Sequence, residues 1–392
     1  MNNFTFLNFV LLQLYTNKSK HFSIFIISTI LIMVLSSFLF ITNSISKDMK
    51  TVVDNQADFI LQGIVAGKVV DTPLELVDEI ISINGVTQAS QRVYGKHFYE
   101  PAEHYFTIVG IDLYDKQIVS NLKSFVKNID IDKFLSKQNM LIGSGVKKFL
   151  NEYAYFDYYN FRPPDKSFEK VYIYDMFENE TDIVSSDMII MDINLAKKIL
   201  GIDEDYSTDI LFNVPNIDER ETVKNKIRAR HFDIRIIAKE DLLRGYDGFL
   251  NYRSSVFMIL YLIVILTFIL IIYQRYSYIN SVDKKEIGVL RSLGWSINRV
   301  IRLKIVENLI IFIGSYILGV NLAYIFVFIF DAPLLSSVFL GFSNLSNNTQ
   351  FTAVVDISSL SLIFLFFIVP IIAAILIPVW KISIIEPYEA MR

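Results

Sequence analysis

Four histidines, His21, His97, His104 and His231, are the only imidazoles in the chain, and there is no cysteine. The missing thiols exclude disulfides, thiolate metal sites and cysteine nucleophiles. His97 and His104, with Glu100 and Glu103 between them, are the one group that a hairpin could bring together as ligands. Structural zinc sites show tighter ligand pairs, so no metal site is assigned. The phosphate loop G-x-x-x-x-G-K-[ST] is absent, and its nearest lookalike, Gly143-Ser-Gly145-Val-Lys147-Lys148, has the wrong spacing and reads as a strand-to-helix turn. There is no G-x-S-x-G elbow or other triad signature. No catalytic residue is expected, and no cofactor on this chain.

One short stretch has an excess of cations. Ser281 to Glu307 carries Lys284, Lys285, Arg291, Arg299, Arg302 and Lys304 against Asp283, Glu286 and Glu307, and it lies between two long apolar segments. Excess Lys and Arg puts such a loop on the cytoplasmic side. Ile287, Leu290 and Leu293 recur at helical spacing, Gly294 suits a left-handed helix end, and Ser296 suits the cap of a second helix. The expectation is a short amphipathic helix, a tight turn and a membrane entry: a knob facing the cytoplasm.

The chain is 53% hydrophobic with a mean hydropathy of +0.41, too apolar for an ordinary soluble protein. Its net charge of −4 offers no basic field for nucleic acid. Residues 1–21 read as a cytoplasmic amphipathic helix on the membrane surface, centred on Phe4 to Tyr15. Residues 22–45 are long and apolar enough to span the bilayer, and residues 254–274, 305–330 and 358–380 give three further spans. Between them lie the cytoplasmic loop 275–304 and a short outer loop, 331–357, whose first 26 residues contain no Lys or Arg. The tail 381–392 returns inside, so both termini are expected in the cytoplasm.

Residues 46–253 read as a water-soluble, extracytoplasmic α+β domain of two lobes. Asp48 to Ile60 is a helical stalk. Pro73 to Ile83 is a helix with Pro73 in its first turn, and Val86 to Tyr99 with His104 to Ile111 forms a hairpin. Leu141 to Gly143 leads into a helix over Val146 to Tyr153, opening a second β-rich lobe that takes in Val171 to Tyr174 and Met188 to Met191. The Tyr153 to Tyr159 cluster in it reads as core. After a short helix, Ile193 to Leu200, a β-α-β return over Ile210–Val214, Asp218–Arg230 and Ile234–Ala238 closes the first lobe, and Lys239 to Arg253 is the returning stalk.

Inside the third span, Gly314 and Gly319 with Ser315 suit close packing of membrane helices. Glu307 reads either as a gating carboxylate or as an interfacial Glu paired with Arg302 or Lys304, and the second reading is preferred.

Two blocks carry a resemblance. KKEIGVLRSLGWS, followed by Glu307, Gly314 and Gly319, and the closing Pro378-Val-Trp-Lys through Pro387-Tyr-Glu-Ala-Met-Arg392 resemble the FtsX-type permeases of ABC transporters, the family of MacB, LolC and LolE. The resemblance implies a MacB-like periplasmic core in a bacterial inner-membrane protein. It also implies a separate cytoplasmic ATPase that holds ATP and Mg and docks on Lys285, Glu286, Ile287, Leu290, Arg291, Leu293 and Gly294. The permease would be a dimer with itself or a related permease, and an envelope protein or lipoprotein is a possible further partner. Its work would be mechanotransmission, serving lipoprotein release or export of hydrophobic compounds. The alternative is a signalling or scaffold protein that senses an envelope ligand and recruits a cytoplasmic effector.

Overall fold

A computed structural model of the chain describes residues 3–16, 18–99, 104–113, 130–176, 186–277, 281–333, 335 and 351–383. Two compact units emerge: residues 44–251 with 333–352, and residues 1–43, 252–332 and 353–392.

In chain order the elements are α1 (Asn3–Thr16), α2 (Lys18–Asp54), β1 (Phe59–Val65), β2 (Lys68–Val70), β3 (Thr72–Pro73), α3 (Glu75–Ile81), β4 (Gln88–Tyr99), β5 (His104–Ile111), α4 (Ile131–Leu135), β6 (Asn139–Ile142), α5 (Ser144–Glu152), β7 (Tyr158–Phe161) and β8 (Glu169–Met176). They continue with β9 (Met188–Asp192), α6 (Ile193–Leu200), β10 (Tyr206–Ser207), β11 (Asp209–Asn213), α7 (Ile217–Arg230), β12 (Ile234–Ala238), α8 (Lys239–Ser277), α9 (Ser281–Ser292), α10 (Ile297–Phe328) and α11 (Ile357–Ser383).

The first unit is a mixed α/β domain on one sheet, ordered β12-β1-β11-β4-β5-β9-β6-β8-β7, with β2 paired to the end of β1. β1 is antiparallel to both β11 and β12, and β11 is antiparallel to β4. The units β1-α3-β4 and β11-α7-β12 therefore interleave, each lending a strand between the strands of the other, as in ferredoxin-like folds. The β4–β5 hairpin pairs from Arg92↔Ile111 to Tyr99↔His104.

Three apolar cores lie on the sheet among the described residues, and α5, α6 and α7 cover two of them. Phe59, Leu61, Phe212 and Ile236 meet Val223 and Ile227 of α7 in one; Phe106, Ile108, Met140 and Met191 meet Val146 of α5 and Ala196 of α6 in the other. Gly110 of β5 lets α6 approach, since a Cβ there would collide with the Cβ of Ala196. The expected two lobes are thus those two cores on one continuous sheet, joined by the parallel β5–β9 pairing. Sequence periodicity sees each strand and not its neighbours.

The stalk and the first helix of the α/β unit have boundaries other than those expected. The stalk helix stops at Asp54, and Phe59 and Ile60 begin β1 because that strand delivers Phe59 and Leu61 to the core. Pro73 lies in β3, paired with Tyr206, and the helix starts two residues later.

Among the described residues, three helical stretches are long and apolar enough to cross a membrane: His21–Asp54, Ile297–Phe328 and Ile357–Ile377. Shorter apolar stretches are Phe4–Thr16 and Tyr261–Gln274, the latter within the 39-residue α8. Ile32 of α2, Ile265 and Phe268 of α8, Ile311 of α10 and Ile371 of α11 share one apolar core. The span expected from residue 22 begins its helix at Lys18. Most of the expected 331–357 loop and the closing Pro387 to Arg392 block lie outside the described residues.

Candidate functional site

The site is the turn between α9 and α10. Gly294 has φ +87°, in the left-handed region where a Cβ is penalised. Its N–H donates to the Arg291 carbonyl at 3.0 Å, and the Trp295 N–H donates to the Leu290 carbonyl at 3.1 Å. Those two bonds make a Schellman ending, which satisfies carbonyls that the end of a helix would otherwise leave bare. α10 begins immediately after, with Ser296 in cap position. The Ser296 hydroxyl makes no capping bond, contrary to expectation; its carbonyl accepts from Arg299 and Val300 at 2.9 and 3.1 Å.

Ile287, Leu290 and Leu293 do not share a face. Ile287 and Leu290 are 3% and 7% exposed, closed in by Val300, Trp295, Val10 and Leu303. Leu293 is 72% exposed, with Val289 at 48%. A helix turns about 100° per residue, so Leu293 lies roughly 120° round from Ile287 and four residues on from Val289. The expected single contact surface therefore divides: Ile287 and Leu290 hold the turn together, while Val289 and Leu293 are presented outward. Arg291 is partly buried, and the side chains of Lys285 and Glu286 lie outside those described.

Two supports for this turn went unread in the sequence. Trp295 folds back onto Leu290, the apolar contact that accompanies Schellman endings and the signal that could have exposed it. α1 supplies the other: Val10 is fully buried against Leu290 and Leu303, and Phe6 and Phe9 stand 6.4 and 5.4 Å from the Trp295 ring. Nothing in the local sequence couples residue 10 to residue 290.

One turn further along α10, Glu307 is 1% exposed. It lies 3.0 Å from Lys304 Nζ, as expected, and 2.7 Å from His21 Nε2 on α2, which was not. Arg302 is turned elsewhere, over the Phe6 ring. Above this pair, Ser315 donates to the Phe25 carbonyl at 3.1 Å. A Cβ on Gly314 would meet Phe25 Cε2 at 3.2 Å, and one on Gly319 would meet the Thr29 carbonyl at 2.9 Å. All three residues therefore lie where α10 touches α2.

The histidines of the hairpin are half-buried and pack on aromatic rings. His97 lies edge-on to Phe161, with centroids 5.0 Å apart, and His104 packs on Phe106 and Phe149. Glu100 and Glu103 lie outside the described residues. His231 pairs with Glu79 at 2.9 Å, and that contact holds the Glu79 carboxyl below its ordinary range.

Residues 258–387, which include this turn, match the model of the FtsX-like permease C-terminal domain. The segment is an FtsX-like permease domain. The FtsX-like domain takes in the apolar part of α8 and all of α9, α10 and α11. The chain is also similar to the extracellular domain of the noncanonic ABC-type transporter YknZ from Gram-positive bacteria, at 13% identity and a TM-score of 0.29, covering 46% of this chain and 98% of that one. It is similar to the periplasmic region of MacB from Actinobacillus actinomycetemcomitans at 7% identity and a TM-score of 0.33, covering 51% and 97%. No curated protein matches the chain significantly in sequence.

Proposed function

We propose that the chain is the transmembrane permease subunit of an ABC transporter whose ATPase is a separate cytoplasmic chain holding ATP and Mg. α9 and its Gly294 turn are the docking knob, with Val289 and Leu293 as the apolar contact and Lys285, Glu286 and Arg291 setting register. The supporting observation is the construction of that knob inside the FtsX-like domain. A Schellman turn, Trp295 and α1 hold it firmly enough to transmit displacement, and they leave Leu293 bare. In this reading α8 completes four spans with both termini in the cytoplasm, and a dimer moves its outer domains to release lipoproteins or export hydrophobic compounds.

The test uses the chain's lack of cysteine. Leu293→Cys should label only from the cytoplasmic side, and Phe232→Cys, at a 94% exposed position, only from outside. An ATPase should copurify with the wild type and be lost with Leu293→Asp while the permease stays folded. Labelling of both cysteines from one side, or retention of nucleotide hydrolysis by Leu293→Asp, would end the proposal.

A further inference from the structure

The end of the membrane unit that carries the knob holds two arginines, Arg299 and Arg302, that no carboxylate answers among the described residues. Residues 1–47 contain no Asp or Glu, and neither do residues 288–306. Arg299 and Arg302 lie one turn apart on α10, both exposed, and each guanidinium rests on an aromatic ring: Arg299 on Trp295 at 5.7 Å and Arg302 on Phe6 at 5.6 Å. The two rings are themselves 6.4 Å apart, so the arginines share one aromatic shelf. Among the described residues neither takes part in an ion pair. At the other end of α1, Lys18 sits 5.6 Å over the exposed ring of Tyr15.

Between these cations runs an apolar stripe. Phe4, Leu7, Leu11 and Tyr15 are all exposed and recur every three or four residues along one face of α1, while Phe6, Val10 and Gln13 on its other side face inward. From Phe6 to Tyr15 the helix rises about 14 Å. A face of this kind, edged by Lys and Arg, lies at the boundary of headgroups and acyl chains, where hydrocarbon covers the apolar side and the cations meet phosphate.

We infer that the shelf of Phe6, Trp295, Arg299 and Arg302 is a binding site for the phosphate headgroup of an anionic phospholipid in the leaflet where α1 lies. A guanidinium held over a ring still offers N–H groups to a ligand, and its fork matches two phosphate oxygens at once. The acyl chains of that lipid belong to the hydrocarbon layer that also covers the α1 stripe. The ligand is a lipid rather than an acidic protein segment because the exposed stripe on the same helix sets α1 at the headgroup boundary, where the phosphates within reach of the arginines are those of lipid. Bound there, the lipid would brace Trp295 and so the turn at Gly294.

The experiment uses the purified full chain without any ATPase, so its outcome is independent of the function proposed above. Thermal unfolding in detergent is followed while phosphatidylglycerol, phosphatidylcholine of the same acyl chains, or inorganic phosphate is added. Phosphatidylglycerol alone should raise the midpoint saturably. In Arg299→Gln/Arg302→Gln the lipid concentration needed should rise roughly thirtyfold, from the usual gain per cation near an anionic surface. Arg244→Gln, an exposed arginine of the α/β unit, should leave the response unchanged. Equal response to phosphatidylcholine, an equal response to inorganic phosphate, or an unshifted double variant would each overturn the site. So would a double variant that keeps the lipid response and loses only a copurifying protein.

Discussion

The Arg220 guanidinium lies 2.5 Å from the Asp58 carboxylate, and this pair ties α7 to the point where β1 begins. Arg220 also reaches Glu240 at 2.5 Å on the first turn of α8 and the Val214 carbonyl at 3.1 Å. Asp58 accepts from the Val214 N–H at 3.0 Å, and its carbonyl accepts from the Lys239 N–H at 2.9 Å. The exit from α2 and the entry to α8 therefore meet at one ion pair. Both partners are largely shielded, so Arg220→Met leaves Asp58 without its cation and should cost about 2–3 kcal/mol. Glu240 is half-exposed, and Glu240→Gln should cost under about 1 kcal/mol. Thermal unfolding of the purified protein compares the two; equal effects would refute the clamp.

Gly294 tests conformation alone. A Cβ there meets nothing within 4 Å, so Gly294→Ala pays only for its φ of +87°. That cost is about 1–2 kcal/mol, less for Gly294→Asn, whose side chain tolerates the left-handed region. Faster amide exchange over Val289 to Trp295 in the alanine variant, with partial recovery in the asparagine variant, is the expected reading.

Gly319 and Gly314 should respond differently. At Gly319 a methyl meets the Thr29 carbonyl and Ile32 Cγ2, both at 2.9 Å, and a backbone oxygen cannot move aside cheaply. Gly319→Ala should lose about 1–3 kcal/mol of stability in detergent. Gly314→Ala touches only the rim of the Phe25 ring, which can tilt, and should stay within about 1 kcal/mol. A reversed order would show that α10 and α2 pack in another register.

The α/β unit should lose stability in mild acid. Burial pushes His97 and His104 below the ordinary imidazole value of 6.5. Below that pH the unfolded chain binds protons that the folded one refuses, so stability falls as pH drops from 6.5 and levels off below the folded value. His97→Phe, which can keep the edge contacts with Phe161, should flatten part of the fall in urea midpoint between pH 7.5 and 5.5. An unchanged slope would rule out this source.

Chain order alone determined the elements whose causes are local. Alternation marked the β4–β5 hairpin, and the apolar runs marked α2, α10 and α11, because a strand or a spanning helix shows its burial within its own residues. The Gly294 turn was equally legible: a left-handed glycine at the end of an amphipathic helix is a conformational requirement of one position. What covers each face was decided by tertiary structure. Ile287, Leu290 and Leu293 carry the same pattern, yet Val10, Trp295 and Leu303 cover two of them and leave the third bare. His21 meets Glu307 from a different helix, and two supposed lobes share one sheet through β5 and β9. Periodicity reports which residues avoid water, whereas the partner that shelters them comes from distant chain, and only the folded packing selects it.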